Sequence, residues 1–362
     1  MKGTILASLG QLSSLVALDI NYNQWEGVMT EAHFSSLTSL KDLSIVQSYS
    51  NITLVFNVSS EWIPTFKLKY LNLKSCLVGP KFPMWLRNQN ELNSVAIWHD
   101  NISDTKPDWF WKLDLFLDVL DFSYNQLNGK IPNTIKFGPN AVVFLNYNQF
   151  TGPLPVFSSN ITSFHLDNFF SGPIPEDFDF WSSLTAVYVI NVANNYLTGE
   201  IPSSLGNLGF VSPIFLTLSN NQLSGEITSA LKNCTEITTP DLGDNKLSGS
   251  IPAWIRERFP SLLILRSIPP CLGNLSGISV DAENVRYEGQ LLVATKGREY
   301  LYDTGNLYLV NSIDLSSSSL RRELPDLTNL SRLGILNLSM NHLTGKVPES
   351  IGSLKQLERE IA

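Results

Sequence analysis

Asparagine recurs along this chain at intervals that suit one task, the bridging of backbone groups between neighbouring turns. The positions are Asn23, Asn125, Asn148, Asn168, Asn195, Asn221, Asn245 and Asn341. An amide side chain both donates and accepts, so it can satisfy backbone groups that leave a strand ladder and would otherwise be buried unpaired. Ser48, Cys76, Asp100 and Ser318 stand in the equivalent place elsewhere, and successive spacings are mostly 23–28 residues. One shorter spacing precedes Asn168, and one large gap separates Asn245 from Ser318. The residue just before this position reads Tyr22, His99, Tyr124 and Tyr147 in the N-terminal half, with Trp98 beside it. Aromatic side chains supply large contact area at small entropic cost, so this column reads as a ligand-binding stripe. Alternatively, each tyrosine packs against the next turn and serves folding alone.

Catalytic chemistry has little to stand on. His33, His99, His165 and His342 are isolated from one another, and no nucleophile elbow, H-E-x-x-H or phosphate loop is present. Cys76, Cys234 and Cys271 lack metal-ligand spacing and form no paired framework, so each reads as a small buried filler. Asp100 and Asp104 flank an N-x-S sequon without an evident partner and read as solvated loop residues. The expectation is a protein that is not an enzyme, with no cofactor and no metal.

The elements that position these residues follow from one phrase, residues 120–132, LDFSYNQLNGKIP. Generalised to L-x-L-x-x-N-x-L-x-G-x-I-P, it recurs along most of the chain. Two apolar residues two apart lie on one face of a short strand. The asparagine turns the chain, the glycine allows a conformation closed to residues with a Cβ, and the proline ends strand pairing. Period and template are those of leucine-rich repeats. The fold predicted is an α/β-type repeat solenoid: a plant-type leucine-rich-repeat horseshoe with a parallel concave sheet, short second strands and a convex side of 3-10 turns and loops. Twelve strands at the usual spacing make a sheet on the order of 55 Å long. A solenoid leaves one face of it open, which suits a protein or extended peptide better than a small molecule.

The organisation expected is repeats over residues 1–276, a non-repeat island segment over 277–309, and repeats again over 310–362. The first turn is incomplete, a long loop spans 49–65, and a phase break falls near Ser267, where the Asn-x-Leu-x-Gly segment is skipped. In the island, Leu291/Val293 and Tyr300/Tyr302 flank Lys296-Gly297, which predicts a small hairpin or two strands. Arg322 stands where the template wants glycine. The chain opens in mid-repeat at Ile5, Leu9, Leu12 and Leu15 and closes at Ile351, Leu354 and Leu357, so a piece of a longer protein is expected.

The 362 residues carry a net charge of −8 and no block of lysine or arginine. Nucleic acid and anionic membrane are therefore poor partners. Charged residues make up only 16 %, low enough that sugar would help to solubilise the surface. Sequons at Asn51, Asn57, Asn101, Asn160, Asn233, Asn274, Asn329 and Asn337 fit a secreted glycoprotein. A glycan on Asn337 would block the concave face there; alternatively that residue stays bare. Residues 1–20 contain no apolar run fit for a signal peptide, and no apolar run is long enough to span a membrane.

Several phrases are more specific than the repeat. WEGVMTEAHF (25–34), LVFNVSSEWIP (54–64), GPKFPMWLRNQNEL (79–92) and LYLVNSIDLSS (307–317) resemble plant receptor-like proteins, in particular the receptors of fungal ethylene-inducing xylanase. Tyr287, followed after eight residues by Lys296-Gly297, matches the Tyr-x8-Lys-Gly motif of that family's island. The resemblance implies a cell-surface recognition module of plant immunity, on the extracellular side of the plasma membrane. Its ligand would be a microbial protein or peptide, and its partners would be an adaptor receptor kinase and a co-receptor kinase. The co-receptor would be recruited near the island, through Tyr287, Lys296, Gly297, Tyr300 and Tyr302; alternatively the island is a structural hairpin that Tyr287 and Lys296 pin to the solenoid. The chain departs from the family in lacking signal peptide, N-terminal cap, last repeats, acidic juxtamembrane stretch and transmembrane helix. Two other readings stay open: a soluble inhibitor or decoy for a secreted microbial hydrolase, and a truncated copy without function.

Overall fold

The computed structural model describes residues 1–48, 53–105, 108–133, 135–157, 161–176, 181, 184, 187–208, 214–227, 231–232, 237–252, 290–295, 298–303, 312–324, 335–348 and 351. The chain is a parallel-strand solenoid that divides into two compact units, Met1–Phe170 and Ser171–Ala362.

In the first unit the strands Ala17–Asp19, Asp42–Val46, Tyr70–Lys74, Ser94–Trp98, Phe116–Asp121, Lys136–Phe144 and Ile161–His165 pair in parallel. Their register brings Leu18, Leu43, Leu71, Val95, Leu120, Val143 and Phe164 into one line, and all seven are buried. A slip of one residue would turn every one of them to the other face, so the apolar column fixes the register. Asp19, Ser44, Asn72, Ala96, Asp121, Phe144 and His165 form the adjacent line on that other face.

Beyond the turn, Leu127 and Ile131 return to the core, and Asn128–Gly129 pairs with Gln149–Gly152. Gly129 has φ 98° and Gly152 φ 92°, the left-handed region where a Cβ is strained. The outer side is built from short pieces such as the helix Asp108–Trp111, whose Phe110 packs with Phe82 and Phe122 at 5.4 and 5.3 Å between ring centroids. Within 49–65, Leu54–Phe56 is a strand paired to Gln24–Met29, and Trp62 packs against Phe34, Phe66 and Trp85.

In the second unit, Val189–Asn191, Ile214–Thr217, Ile237–Asp241, Ser312–Asp314 and Ile335–Asn337 pair in the same sense. Asp241 pairs directly with Asp314, so the sheet spans the gap between Asn245 and Ser318 with neighbouring strands. Tyr196–Glu200, Gln222–Glu226 and Lys246–Ser248 form a second parallel row. Arg322 has φ 72°, the conformation the template's glycine would supply without strain. Gln290–Thr295 and Arg298–Asp303 pair antiparallel, with Leu291 opposite Tyr302 and Val293 opposite Tyr300, which is the hairpin the spacing predicts. Ser267, Tyr287, Lys296, Gly297, Cys234 and Cys271 lie outside the described residues.

Candidate recognition surface

The surface rests on the bridging side chains. Asn148 Oδ1 accepts the Leu127 N–H at 2.9 Å. Its Nδ2 donates to Phe122 O of the preceding turn at 2.8 Å and to Leu145 O and Asn146 O of its own at 3.1 and 3.3 Å. Asn125 donates in the same way to Ile97, Phe122 and Ser123, and accepts from the Asp100 and Ile102 N–H groups. Asn221, Asn245 and Asn341 each donate to one carbonyl of the preceding turn and two of their own. Asn168 donates to Leu145 O, Asn195 to Val192 O and Ala193 O, and Asn23 to Ile20 O and Asn21 O. Where cysteine replaces asparagine, Cys76 Sγ lies 3.6 Å from Ile45 O and 3.5 Å from Lys74 O. Burial pushes its thiol well above the usual range.

The residue before most bridges sits in a special backbone slot. Tyr22, Ser75, His99, Tyr124 and Tyr147 have φ of 52°, 55°, 58°, 54° and 55°. In the second unit Asn194, Asn220, Asp244, Ser317 and Met340 have φ between 46° and 56°. This left-handed conformation costs an ordinary side chain roughly 1–2 kcal/mol, and only Gly, and occasionally Asn or Asp, visits it routinely. Residues 165–168 contain no positive φ: that turn is one residue shorter before its asparagine and has no such slot.

Tyr22 is 63 % exposed and Tyr124 38 %, and Tyr147 is half-buried. The rings of Tyr124 and Tyr147 stack at 4.4 Å with 23° between their planes. Trp98 and His99 form a second group one turn away. Lys74 Nζ lies 3.8 Å from the centre of the Trp98 ring, and His99 Nδ1 shares a hydrogen bond of 2.9 Å with Ser75 Oγ. Tyr22 stands apart, because Gln47, buried and bonded to both backbone groups of Trp25, and Ser75 come between. The structure therefore joins Tyr124 with Tyr147 and Trp98 with Lys74. Lys74 carries no repeat signal, and only the strand register reveals it.

Behind this edge the strand face is closely packed. Phe144 stacks on His165 at 4.6 Å; burial lowers the His165 pKa to about 3, so its ring is neutral. Burial raises Asp121 to about 7 against two hydrogen bonds from Ser123. Asp241, in the second unit, is raised to about 7 by burial and then by the charge of Asp314.

Asp100 is not a solvated loop residue. It is 0 % exposed, because it occupies the bridging position, where Oδ1 accepts the Cys76 N–H at 2.5 Å. Asp104 is half-buried and its Oδ2 accepts the Phe82 N–H at 3.3 Å. Of the sequons, Asn57 and Asn101 are exposed and Asn337 is half-buried, with its Nδ2 donating to Asp314 Oδ2 at 2.9 Å. Asn51, Asn160, Asn233, Asn274 and Asn329 lie outside the described residues. Tyr300 and Tyr302 lie on the second hairpin strand. Among the described residues no group of histidine, cysteine and carboxylate side chains could hold a metal ion, and no helix is long and apolar enough to cross a membrane.

Parallel turns stitched by buried amides define a repeat solenoid. The Leucine Rich Repeat family model matches residues 116–137, 187–208, 213–234 and 332–354, and the chain belongs to the leucine-rich-repeat proteins of the plant receptor-like type. It is 33 % identical over 372 residues to Receptor-like protein EIX2 of Solanum lycopersicum, an alignment covering 83 % of this chain and 36 % of the relative. The crystal structure of PEPR1-AtPEP1 superposes with TM-score 0.66 at 23 % identity, over 98 % of this chain and 46 % of that one. The plant peptide hormone receptor RGFR1 in complex with RGF2 superposes with TM-score 0.63 at 21 % identity, over 98 % and 52 %. The chain thus spans about a third of the length of that relative and about half of those structures.

Proposed function

We propose that this chain is an extracellular ligand-recognition module of a plant receptor-like protein, binding a microbial protein or peptide along the strand ends of its first unit. The observation that carries this reading is the placement of exposed tyrosines in a backbone slot that disfavours them. Strain kept at an exposed position points toward function rather than folding. Tyr124 and Tyr147 offer a ready-made aromatic platform, and Trp98 with Lys74 adds a cationic, apolar contact one turn away. The receptor-like relative and the peptide-bound receptor of the same fold favour recognition over catalysis.

The same reading assigns the chain to the outer side of the plasma membrane. It gives residues 277–309, with Tyr287, Lys296, Gly297, Tyr300 and Tyr302, the role of recruiting a co-receptor kinase, and it includes an adaptor receptor kinase. The test of the binding surface is the double substitution Tyr124→Ala/Tyr147→Ala in the full chain. Secreted microbial proteins, a fungal xylanase among them, and their peptide digests are the probes. The expected result is capture by the parent chain and at least a tenfold loss in the double variant. Equal capture by both, or capture by neither, would overturn the assignment.

A further inference from the structure

Asp100 is the one bridging position among the described residues filled by an ionisable carboxyl, and its geometry is that of an amide. Oδ1 accepts the Cys76 N–H at 2.5 Å, as Asn125 Oδ1 accepts the Asp100 N–H at 3.2 Å. Oδ2 is buried and has no hydrogen-bond partner. In the neighbouring turns the matching atom points at carbonyl oxygens: Asn125 Nδ2 at Ile97 O, Phe122 O and Ser123 O, and Cys76 Sγ at Ile45 O and Lys74 O. One turn's shift in register makes the carbonyls of Leu73, Ile97 and Trp98 the counterparts for Asp100. An ionised oxygen there would meet acceptors only, whereas a hydroxyl would donate as the amide does.

We propose that Asp100 stands in this wall as the neutral carboxylic acid, its Oδ2–H donating to backbone carbonyls, so that the turns carrying Cys76, Asp100 and Asn125 are latched by a proton and loosen when it leaves. The surrounding charges agree. From the preceding turn Asp100 meets the Cys76 thiol, itself pushed up by burial and by Asp100, while the Lys74 ammonium is engaged with the Trp98 ring. In its own turn His99 bonds Ser75, and Asp104 accepts from Phe82. The next turn presents the Asn125 amide and Asp121. Burial, and then the charge of Asp121, drive the Asp100 carboxyl well above the usual carboxylate range, against the hydrogen bond from Cys76.

The sign follows. An unfolded aspartate loses its proton near about pH 4, while the folded one keeps it to a higher pH. Between those values the unfolded state binds fewer protons, so stability falls as pH rises, by up to tenfold in the folding constant per pH unit. The test is denaturant unfolding of the full chain across this range, comparing the parent with Asp100→Asn and Asp100→Cys. Infrared spectroscopy supplies the direct readout of a protonated carboxyl at neutral pH. The expected result is an Asp100→Asn chain that loses this part of the pH dependence, gains most over the parent at the alkaline end, and lacks an acid carbonyl band the parent shows. Parallel pH profiles, or no difference in the acid band, would overturn the proposal. Should Asp100→Asn fail to fold, Asp100→Cys, which copies Cys76, takes its place in both readouts, the band lost relative to the parent being the one assigned to Asp100, since Asp121 and Asp241 contribute to the parent's band as well.

Discussion

The two units use one backbone device with two sets of residues. In both, the residue before most bridging positions is left-handed, the turns of Ser48 and Asn168 in the first unit being the exceptions. In the second unit the slot holds Asn194, Asn220, Asp244, Ser317 and Met340, and in the first it holds Tyr22, Ser75, His99, Tyr124 and Tyr147. Asn and Asp tolerate this conformation better than other side chains with a Cβ, and here Asn220 Nδ2 also donates to Asn194 Oδ1 one turn away at 2.7 Å. Tyrosine is not among the residue types that adopt it routinely. Since the second unit builds the same turn without aromatics, the turn does not require them. The tyrosines of the first unit are therefore additions to the solenoid, and recognition is the role we assign them.

The comparison can be broken or sharpened at several points. Asn148→Ala removes a donor and an acceptor from four buried backbone groups and should cost about 3 kcal/mol or more in denaturant unfolding; Asn148→Cys should cost less, because Cys76 already fills an equivalent place. A loss under about 1 kcal/mol for Asn148→Ala would mean the bridges are dispensable. The next effect is on pH. Asp121 in one unit and Asp241 in the other are both held near 7 by burial, so each should lose stability from about pH 4 upward, by at most about 1.4 kcal/mol per unit. Asp121→Asn and Asp241→Asn should each flatten the unfolding profile over that window, and an unchanged slope would contradict it. Asn220→Tyr, which places an aromatic in the second unit's slot, should cost about 1 kcal/mol; a neutral result would remove the premise of strain. Lys74→Met should cost about 0.5–1 kcal/mol by losing the Trp98 contact.

Much of the architecture was legible from residue spacing. A bridging amide must recur once per turn, and a strand with one buried face must alternate, so period, parallel sheet and the paired strands 290–295 and 298–303 follow from residue types. Arg322 could be picked out because its neighbours in the template are glycines. The site was legible only as positions. That Tyr124 and Tyr147 stack, that Lys74 lies over Trp98, and that the slot is left-handed all depend on strand register and backbone angle. Asp100 shows the limit well. Its sequence neighbours, a histidine and a sequon, are residue types expected in exposed loops, and only the stacking of turns encloses its carboxyl. The shortened turn at Asn168 hides the missing slot in the same way, since a smaller spacing does not say which residue is absent.

The most direct test of the central claim needs no ligand. It is the unfolding free energy of Tyr124→Asn/Tyr147→Asn, which gives the first unit the residue type of the second. Losing the ring stack costs about 0.5–1.5 kcal/mol and relieving two left-handed tyrosines returns about 2 kcal/mol, so the two largely offset each other. The account predicts a stability within about 1 kcal/mol of the parent. A loss beyond about 3 kcal/mol, the size of a broken core contact, would show that the tyrosines hold the turns together and would contradict it.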